Sequence, residues 1–293
     1  MLKLMKHMRL VGLVLSLGFC MAGHSIASGA SYKGYDYEID YSLRSLSGEY
    51  VMVAEGKGGT GPEVVFGVVY FDGAGNISGS LRVNTGLDGQ PRTVSEVNVD
   101  GQYSIEGIGE GVFGFSSALT SAIYVVRESK VRRGKKRVTE LAFVADGLTE
   151  TGNVLRGFIK KRTRKHDFTD ASVAGDFGLI NEGFGGLGQG IAVGVVTWEP
   201  DTNYIFGNFT GSFPGQNPGE RSVIEFFSGG PFSINPDGTG VTLSDTTGGQ
   251  SHYLVTETEW YRGKQIAKEI YFAVEFLDPF GNWSPATMTR ISK

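Results

Sequence analysis

The feature of this sequence that most limits its fold is an internal duplication. Placed beside itself at an offset of 127 residues, and of 129 further along, the chain meets matching residues over long distances. Such a period is far longer than the ~20–50 residues of solenoid and propeller repeats, and it suits an independent domain. We predict two tandem copies at residues 47–161 and 174–293, joined by a polar linker at 162–173. The matches include Gly48 with Gly175, Glu55-Gly56 with Glu182-Gly183, Gly67-Val68-Val69 with Gly194-Val195-Val196, and Arg133-Gly134-Lys135 with Arg262-Gly263-Lys264.

Each copy has the pattern of short strands separated by glycine-rich turns. Residues 64–71 are β-branched and aromatic, residues 72–76 are typical of a turn, and residues 77–83 alternate. The 45 glycines follow no collagen period, and no 12-residue window of the two copies has a convincing helical stripe. We predict an all-β protein with about eight strands per copy. A meander of this length removes its edges by closing into an antiparallel β-barrel, and β-sandwiches are the alternative.

The first strand of each copy opens with a shared motif, Gly48-Glu49-Tyr50 and Gly175-Asp176-Phe177. Glycine followed by an acid and an aromatic residue resembles the opening of calycin-type barrels such as lipocalins and avidins, with Tyr and Phe in place of their Trp. The chain is also similar to the glycine-rich tandem β-repeat proteins of bacterial secretomes. The resemblance implies barrel architecture in both copies, and no ligand residue of those families carries over.

The first 27 residues have the three parts of a secretory signal peptide. Lys3, Lys6 and Arg9 provide a basic start, residues 10–23 form an apolar run, and small residues at positions 25 and 27 mark a cleavage site after Ala27. The apolar run is too short to span a bilayer as a mature anchor. We expect a periplasmic or secreted protein with an N-terminal extension at 28–46, and association with the outer membrane is the alternative.

Few residues suited to catalysis or metal binding follow the signal peptide. Cys20, the only cysteine, lies within it, and only His166 and His252 come after it, at unmatched positions of different copies. We therefore expect no thiolate nucleophile, disulfide, histidine metal site or Ser-His-Asp triad. No cofactor is indicated, and no later segment is apolar and long enough for a transmembrane helix.

Paired carboxylates are the pattern closest to a chemical site. Glu128 and Glu140 flank one hairpin turn, and the offset of 129 places Glu257 and Glu269 at the matching turn. The two acids of a pair are expected directly opposite or diagonal to each other, on one face of the sheet. Such a pair suits a Ca²⁺-like oxygen site, a general acid/base pair or a ladder of salt bridges with Arg127, Lys130 or Arg133.

Charge differs between the two halves of the chain. Residues 28–166 carry 18 lysines and arginines against 16 acids, a net +2, whereas residues 167–293 carry 6 against 15, a net −9. Eleven of the 18 cations lie in two runs, at 130–137 and 160–165, which an up-and-down barrel brings to one end. This basic cap either binds an anionic lipid or polysaccharide surface, contacts the acidic second copy, or is solvated. Binding of nucleic acid is not expected. Its hairpin part includes Arg132, Arg133, Lys135 and Lys136.

Trp260 and Tyr261 are expected at a hairpin tip of the second copy. Aromatic residues there either form a binding edge or pack against a neighbouring loop. A closed barrel without a catalytic set favours a non-enzymatic exported binding or surface protein, for a small apolar ligand or an anionic envelope surface. One alternative is an isomerase- or cyclase-like barrel enzyme that uses the glutamate pairs. Another is an outer-membrane β-barrel, against which the non-aromatic end Ile291-Ser292-Lys293 argues. The sequence leaves the oligomeric state open.

Overall fold

The structure is a computed structural model, in which residues 38–293 form one compact unit. No helix among the residues described is both long and apolar enough to cross a bilayer. The structure describes residues 41–58, 61–87, 92–115, 120–130, 136–146, 153–162, 166–185, 188–215, 219–245, 248–275 and 283–291.

The strands form two closed antiparallel barrels in which consecutive strands are neighbours, and the last strand of each pairs with the first. The prediction of two eight-stranded meander barrels is confirmed, and each sheet closes on itself instead of forming a sandwich. The first barrel consists of β1 (Gly48–Gly58), β2 (Gly61–Phe71), β3 (Asn76–Thr85), β4 (Thr93–Ile105), β5 (Glu110–Phe115), β6 (Thr120–Lys130), β7 (Lys136–Asp146) and β8 (Asn153–Lys161). The second consists of β9 (Gly175–Gly185), β10 (Gly188–Glu199), β11 (Tyr204–Pro214), β12 (Arg221–Ile234), β13 (Thr239–Leu243), β14 (Gln250–Tyr261), β15 (Lys264–Glu275) and β16 (Trp283–Arg290).

Hairpin turns have the residues that their geometry requires. Between β2 and β3, the Asp72 carboxylate accepts backbone N–H bonds from Ala74 and Asn76 at 2.7 and 2.9 Å, which is the local bonding that makes Asp favourable in turns. Between β14 and β15, Arg262 and Gly263 both adopt positive φ angles, 47° and 79°. Two such residues form a type I′ turn, whose twist matches that of the flanking strands.

Edge-to-face aromatic rings fill one end of each barrel core. In the first barrel, Phe71 lies between Tyr50 and Tyr103, with ring centroids 5.1 and 4.9 Å away. Trp198 occupies the central position in the second barrel and is fully buried. Its ring lies between those of two flanking aromatics, 6.5 Å from Phe177 and 4.9 Å from Phe232. The duplication therefore preserves contacts as well as strand order.

The shared opening motif supplies the first ring of each aromatic cluster, and a cation from the last strand covers it. Lys161 Nζ lies 4.5 Å from the centre of the Tyr50 ring, and the Arg290 guanidinium lies 4.6 Å from that of Phe177. Such cation–π contacts contribute about 0.5–2 kcal/mol each, depending on desolvation. The aromatic residue of the motif thus ties the first strand to the last strand in both barrels.

A capped turn precedes the first strand of each barrel. A 3₁₀ turn at Leu43–Ser45 and the helix α1 (Asp170–Val173) both begin with a capping box. The residue that precedes each N-cap, Tyr41 and Phe168, is buried in the core of the barrel that follows. The end of the predicted linker, from Phe168 onward, is therefore packed into the second barrel.

The two barrels pack side by side through outward-facing residues. The Phe66 ring lies 5.6 Å from the ring of Tyr271, at the centre of the contact. An ion pair joins the barrels beside it, with Lys160 Nζ 2.6 Å from Glu269 Oε1. The buried apolar residues of this contact are Val51, Val53, Val64 and Phe66 of the first barrel and Leu254, Tyr271 and Ala273 of the second.

Candidate functional site

The lumen of the second barrel contains an apolar cavity of about 340 Å³, and all eight strands contribute to its lining. Hydroxyl and amide groups interrupt an otherwise apolar wall at Ser228, Thr242, Ser244, Ser251 and Asn181. None of the described lining residues carries an ionisable group. The apolar wall includes Leu179, Ala192, Ile205, Phe209, Phe226 and Met288.

Glycines that face the lumen determine where the phenylalanine rings of the wall lie. Phe209 on β11 is paired with Gly194 on β10, and a Cβ atom at Gly194 would lie 2.6 Å from the Phe209 ring. A Cβ atom at Gly207 would lie equally close to the same ring. Because neither glycine has a side chain, the ring lies against the barrel wall, where it stacks on Phe226 at 5.2 Å. The rings therefore border the cavity instead of filling it.

The first barrel is filled at the same level of its lumen by valine and leucine side chains that belong to its buried core. The strand pairing identifies the corresponding residues of the second barrel. Three of these residues of the second barrel are smaller than their counterparts in the first barrel, and each such change removes side-chain volume from the lumen. Two positions that hold leucine or valine in the first barrel hold phenylalanine in the second, which moves side-chain volume to the barrel wall. The smaller residues are Ala192 for Val65, Gly211 for Val83 and Ser228 for Val99.

In the first barrel, each glutamate of the predicted pair has a basic partner. The β6–β7 hairpin is irregular, and Glu140 is directly opposite Arg127 instead of Glu128. Arg127 Nη1 lies 3.4 Å from Glu140 Oε2, and Lys136 Nζ lies 3.2 Å from Glu128 Oε2. The hydroxyl of Tyr41 also donates to Glu128. The two acids are offset along the hairpin, and basic side chains compensate both.

In the second barrel, Glu257 is directly opposite Glu269. Lys268 Nζ lies 2.6 Å from Glu257 Oε1, while Glu269 accepts hydrogen bonds from Thr256 at 2.8 Å and from Lys160 of the first barrel at 2.6 Å. Like charges directly opposite are unfavourable unless a cation intervenes, and here two lysines do so. The basic partners in this barrel, Lys268 and Lys160, are not the Arg127, Lys130 or Arg133 of the predicted ladder, and a ligand or catalytic role of the glutamates stays a prediction.

Strand pairing changes the predicted equivalence of these glutamates. Val125 and Val255 occupy the same place in the two barrels, since each donates its N–H to a matching glycine carbonyl at 2.9 Å. The matching positions of β6 and β14 are thus 130 residues apart, and Glu257 corresponds to Arg127 instead of Glu128. A shift of one residue moves every side chain of a strand to its other face. Residues matched by the sequence offset of 129 are therefore not matched in space along this strand.

A groove of about 440 Å³ between the barrels is lined by three of the four glutamates. The fourth, Glu269, forms an ion pair with Lys160, which also lines this groove. Burial, together with the nearby positive charge of Arg137, lowers the pKa of Lys161 in this groove to about 8. A general acid or base needs a carboxyl group free to exchange its proton with a substrate. The compensated acids of this groove suit a network that joins the barrels.

The predicted basic cap is carried by the ends of β6 and β8. Both lie at the same end of the barrel, because the start of β7 pairs with the end of β6 and, through Glu140 and Lys160, with the end of β8. Lys136 binds Glu128, and Lys161 donates to the carbonyl of Ser47. The side chain of Arg162 is fully buried, with Nε 3.5 Å from Glu49 Oε1. These cations make intramolecular contacts, and docking to an anionic surface stays a prediction. Arg132, Arg133 and Lys135 lie outside the described residues.

The aromatic hairpin tip packs on the segment that enters the second barrel. The ring of Trp260, which is about half exposed, lies 5.4 Å from the ring of His166. The Arg262 guanidinium lies 5.1 Å from the centre of the Tyr261 ring. Packing against a neighbouring segment is one of the two predicted alternatives, and a binding role of this tip stays a prediction.

The cavity of the second barrel was not predicted from the sequence. Its signal is the replacement of valine by alanine, glycine and serine at three lumen positions of the second copy. Reading that signal requires the strand register, because only the register shows which residues face the lumen. A constant sequence offset does not supply it, since the true offset changes from strand to strand.

No family model and no curated protein matches the chain. Among solved structures, it is similar to a protein of unknown function from the DUF3598 family of Nostoc punctiforme, at 9% identity and a TM-score of 0.26, over 86% of this chain and 99% of that one. Two structures of CghA, one of them with Sch210972, match at 6% identity and a TM-score of 0.27, over 84% of this chain and 89% of theirs. Likeness at this level carries no functional argument, and the relation to calycins stays a prediction.

Proposed function

We propose that this chain is an exported binding protein whose second barrel holds a small, neutral, apolar ligand. The observation that carries the proposal is the lumen cavity of about 340 Å³ with its phenylalanine and aliphatic wall. Ligand sites typically measure about 300–1,000 Å³ and are mostly apolar with a few polar groups. Transfer of an apolar ligand from water into such a site is favourable by roughly 25 cal/mol per Å² of buried apolar surface.

The polar groups of the wall limit the chemistry of the ligand. Thr242 and Ser251 are cross-strand partners, are nearly buried and border the cavity, so their hydroxyls can bond to one hydroxyl or carbonyl group. The described lining offers no counter-ion, and burial of an unpaired charge costs several kcal/mol. The cavity therefore favours a neutral molecule with one polar group over a fatty acid anion or an amine.

The test uses N-phenyl-1-naphthylamine, a neutral apolar dye whose fluorescence rises in apolar surroundings. We expect saturable binding of about one dye per chain and a higher melting temperature in its presence, because a ligand of the folded state stabilises it. Ala192→Leu places extra volume inside the cavity and should weaken dye binding at least tenfold. Val193→Lys, one residue away on the outer face of the same strand, should leave binding unchanged.

The two variants separate cavity binding from adsorption to the outer surface. Loss of binding in Val193→Lys with retention in Ala192→Leu would place the dye outside the barrel and contradict the proposal. Absence of saturable binding in the unmodified protein would contradict it as well. The melting temperature of Ala192→Leu without dye shows whether the barrel still folds.

Export is the second part of the proposal and rests on the N-terminal pattern of basic start, apolar run and small residues. Cleavage after Ala27 makes Ser28 the first residue of the mature protein. Mass spectrometry of protein recovered from the cell envelope or medium measures this directly. Recovery of the chain with its first 27 residues intact would contradict cleavage.

A further inference from the structure

The contact between the two barrels joins unlike faces. The first barrel uses the outer face of β1 and β2, here called the donor face, and the second uses the outer face of β14 and β15, here called the acceptor face. Because the barrels are duplicates, each has both faces. The contact within the chain occupies the donor face of the first barrel and the acceptor face of the second. One face of each kind is left over.

The unused donor face, on the second barrel, is apolar and exposed. Strand pairing in β1–β2 and in β9–β10 makes Ile180 the counterpart of Val53, and Val193 the counterpart of Phe66. Val53 and Phe66 are 3% and 2% exposed in the contact between the barrels, whereas Ile180 and Val193 are 62% and 48% exposed. Val195, beside them, is 46% exposed.

The unused acceptor face, on the first barrel, is also apolar and exposed. Pairing of β6 with β7 and of β14 with β15 makes the pair Tyr124–Ala142 the counterpart of Leu254–Tyr271. In both pairs a large and a smaller side chain are opposite each other, with their order exchanged. Tyr124 is 52% exposed, and Val144, the counterpart of the buried Ala273, is 54% exposed. Contiguous exposed apolar residues of this kind mark interaction surfaces.

We propose that the donor face of the second barrel binds the acceptor face of the first barrel of another copy of this chain. The contact would repeat, between chains, the packing that already joins the two barrels within one chain. A contact between unlike faces closes into a ring or extends as a filament. Net charge supports this pairing over contact between like barrels, since the half with net +2 meets the half with net −9.

The contact between copies is weaker than the one within the chain. Lys160, which binds Glu269 across the internal contact, has Thr289 as its counterpart in the second barrel, so this ion pair is missing. Val51 of the internal contact has Gly178 as its counterpart, which reduces the apolar area. Assembly should therefore depend on concentration in the micromolar range.

The test is sedimentation velocity of the full chain at several concentrations, with two double variants. The donor-face variant carries Ile180→Lys and Val193→Lys, and the acceptor-face variant carries Tyr124→Lys and Val144→Lys. We expect the unmodified chain to form dimers or larger assemblies, and each variant alone to be monomeric, with association weakened at least 100-fold. Ile108→Lys, at an apolar turn residue that is 70% exposed and outside both faces, is the control and should assemble normally.

Mixing the two variants tests the pairing of unlike faces. The donor-face variant keeps an intact acceptor face, and the acceptor-face variant keeps an intact donor face, so an equimolar mixture should form a dimer and nothing larger. A monomeric unmodified chain at 100-fold the expected concentration range would overturn the proposal, as would normal assembly of either variant. A mixture that stays monomeric would overturn it too. Circular dichroism and melting of each variant establish that the barrels are folded.

Discussion

At the scale of single residues, two buried tyrosines of the second barrel differ in one hydrogen bond. The Tyr253 hydroxyl donates to the carbonyl of Ser233 at 2.6 Å. The Tyr271 hydroxyl is buried between the barrels and has no hydrogen-bond partner within the described part of the chain. Burial raises the pKa of both phenols well above the usual value, and the charge of Glu55 raises that of Tyr271 further. Both therefore stay neutral, and they differ in whether the buried hydroxyl has a hydrogen-bond partner.

Substitution of each tyrosine by phenylalanine should change stability in opposite directions. Tyr271→Phe removes a buried donor without a partner and should raise the free energy of unfolding by about 1 kcal/mol, whereas Tyr253→Phe removes a buried hydrogen bond to the Ser233 carbonyl and should lower it by about 1 kcal/mol. Urea unfolding at neutral pH measures both. Equal losses in the two variants would mean that the Tyr271 hydroxyl contributes to the contact between the barrels.

At the scale of elements, the turn between β14 and β15 combines a suitable residue with an unsuitable one. Gly263 adopts its positive φ of 79° without strain, while Arg262 holds φ 47°, a region that costs most side chains about 1 kcal/mol. Arg262→Asn would create the Asn-Gly pair favoured in type I′ turns and should stabilise the protein by roughly 0.5–1 kcal/mol. Gly263→Ala should destabilise it by about 1 kcal/mol. A thermal melt of each variant checks the signs, and stabilisation by Gly263→Ala would contradict the turn assignment.

Local patterns in the sequence were sufficient to predict strand number, meander order and the turn at residues 72–76, because all three depend on neighbours along the chain. The register of distant strands was not predictable to the residue. The irregular pairing at Glu128 and Glu140, and the offset of 130 in β14, depend on how each hairpin closes. The cavity was missed for the same reason, since which side chain faces the lumen changes with a shift of one residue.

At the scale of the whole molecule, the packing of one barrel on the other should make the two unfold together. The contact is apolar at its centre, where Phe66 meets Tyr271, and it ends in the ion pair between Lys160 and Glu269. Unfolding of either barrel would expose the buried face of the other, at a cost of about 25 cal/mol per Å² of apolar surface. The barrels are thus expected to behave as one cooperative unit despite their separate lumens.

Tryptophan fluorescence can test this coupling, because all three tryptophans, at positions 198, 260 and 283, belong to the second barrel. In the unmodified protein, the urea transition followed by fluorescence should coincide with that followed by far-ultraviolet circular dichroism, which reports both barrels. Phe66→Lys places a charge in the contact from the side of the first barrel and should separate the two transitions. Val193→Lys, at the corresponding exposed position of the second barrel, should leave them coincident. If the transitions of the unmodified protein already differ, the barrels unfold independently and the contact between them contributes little to stability.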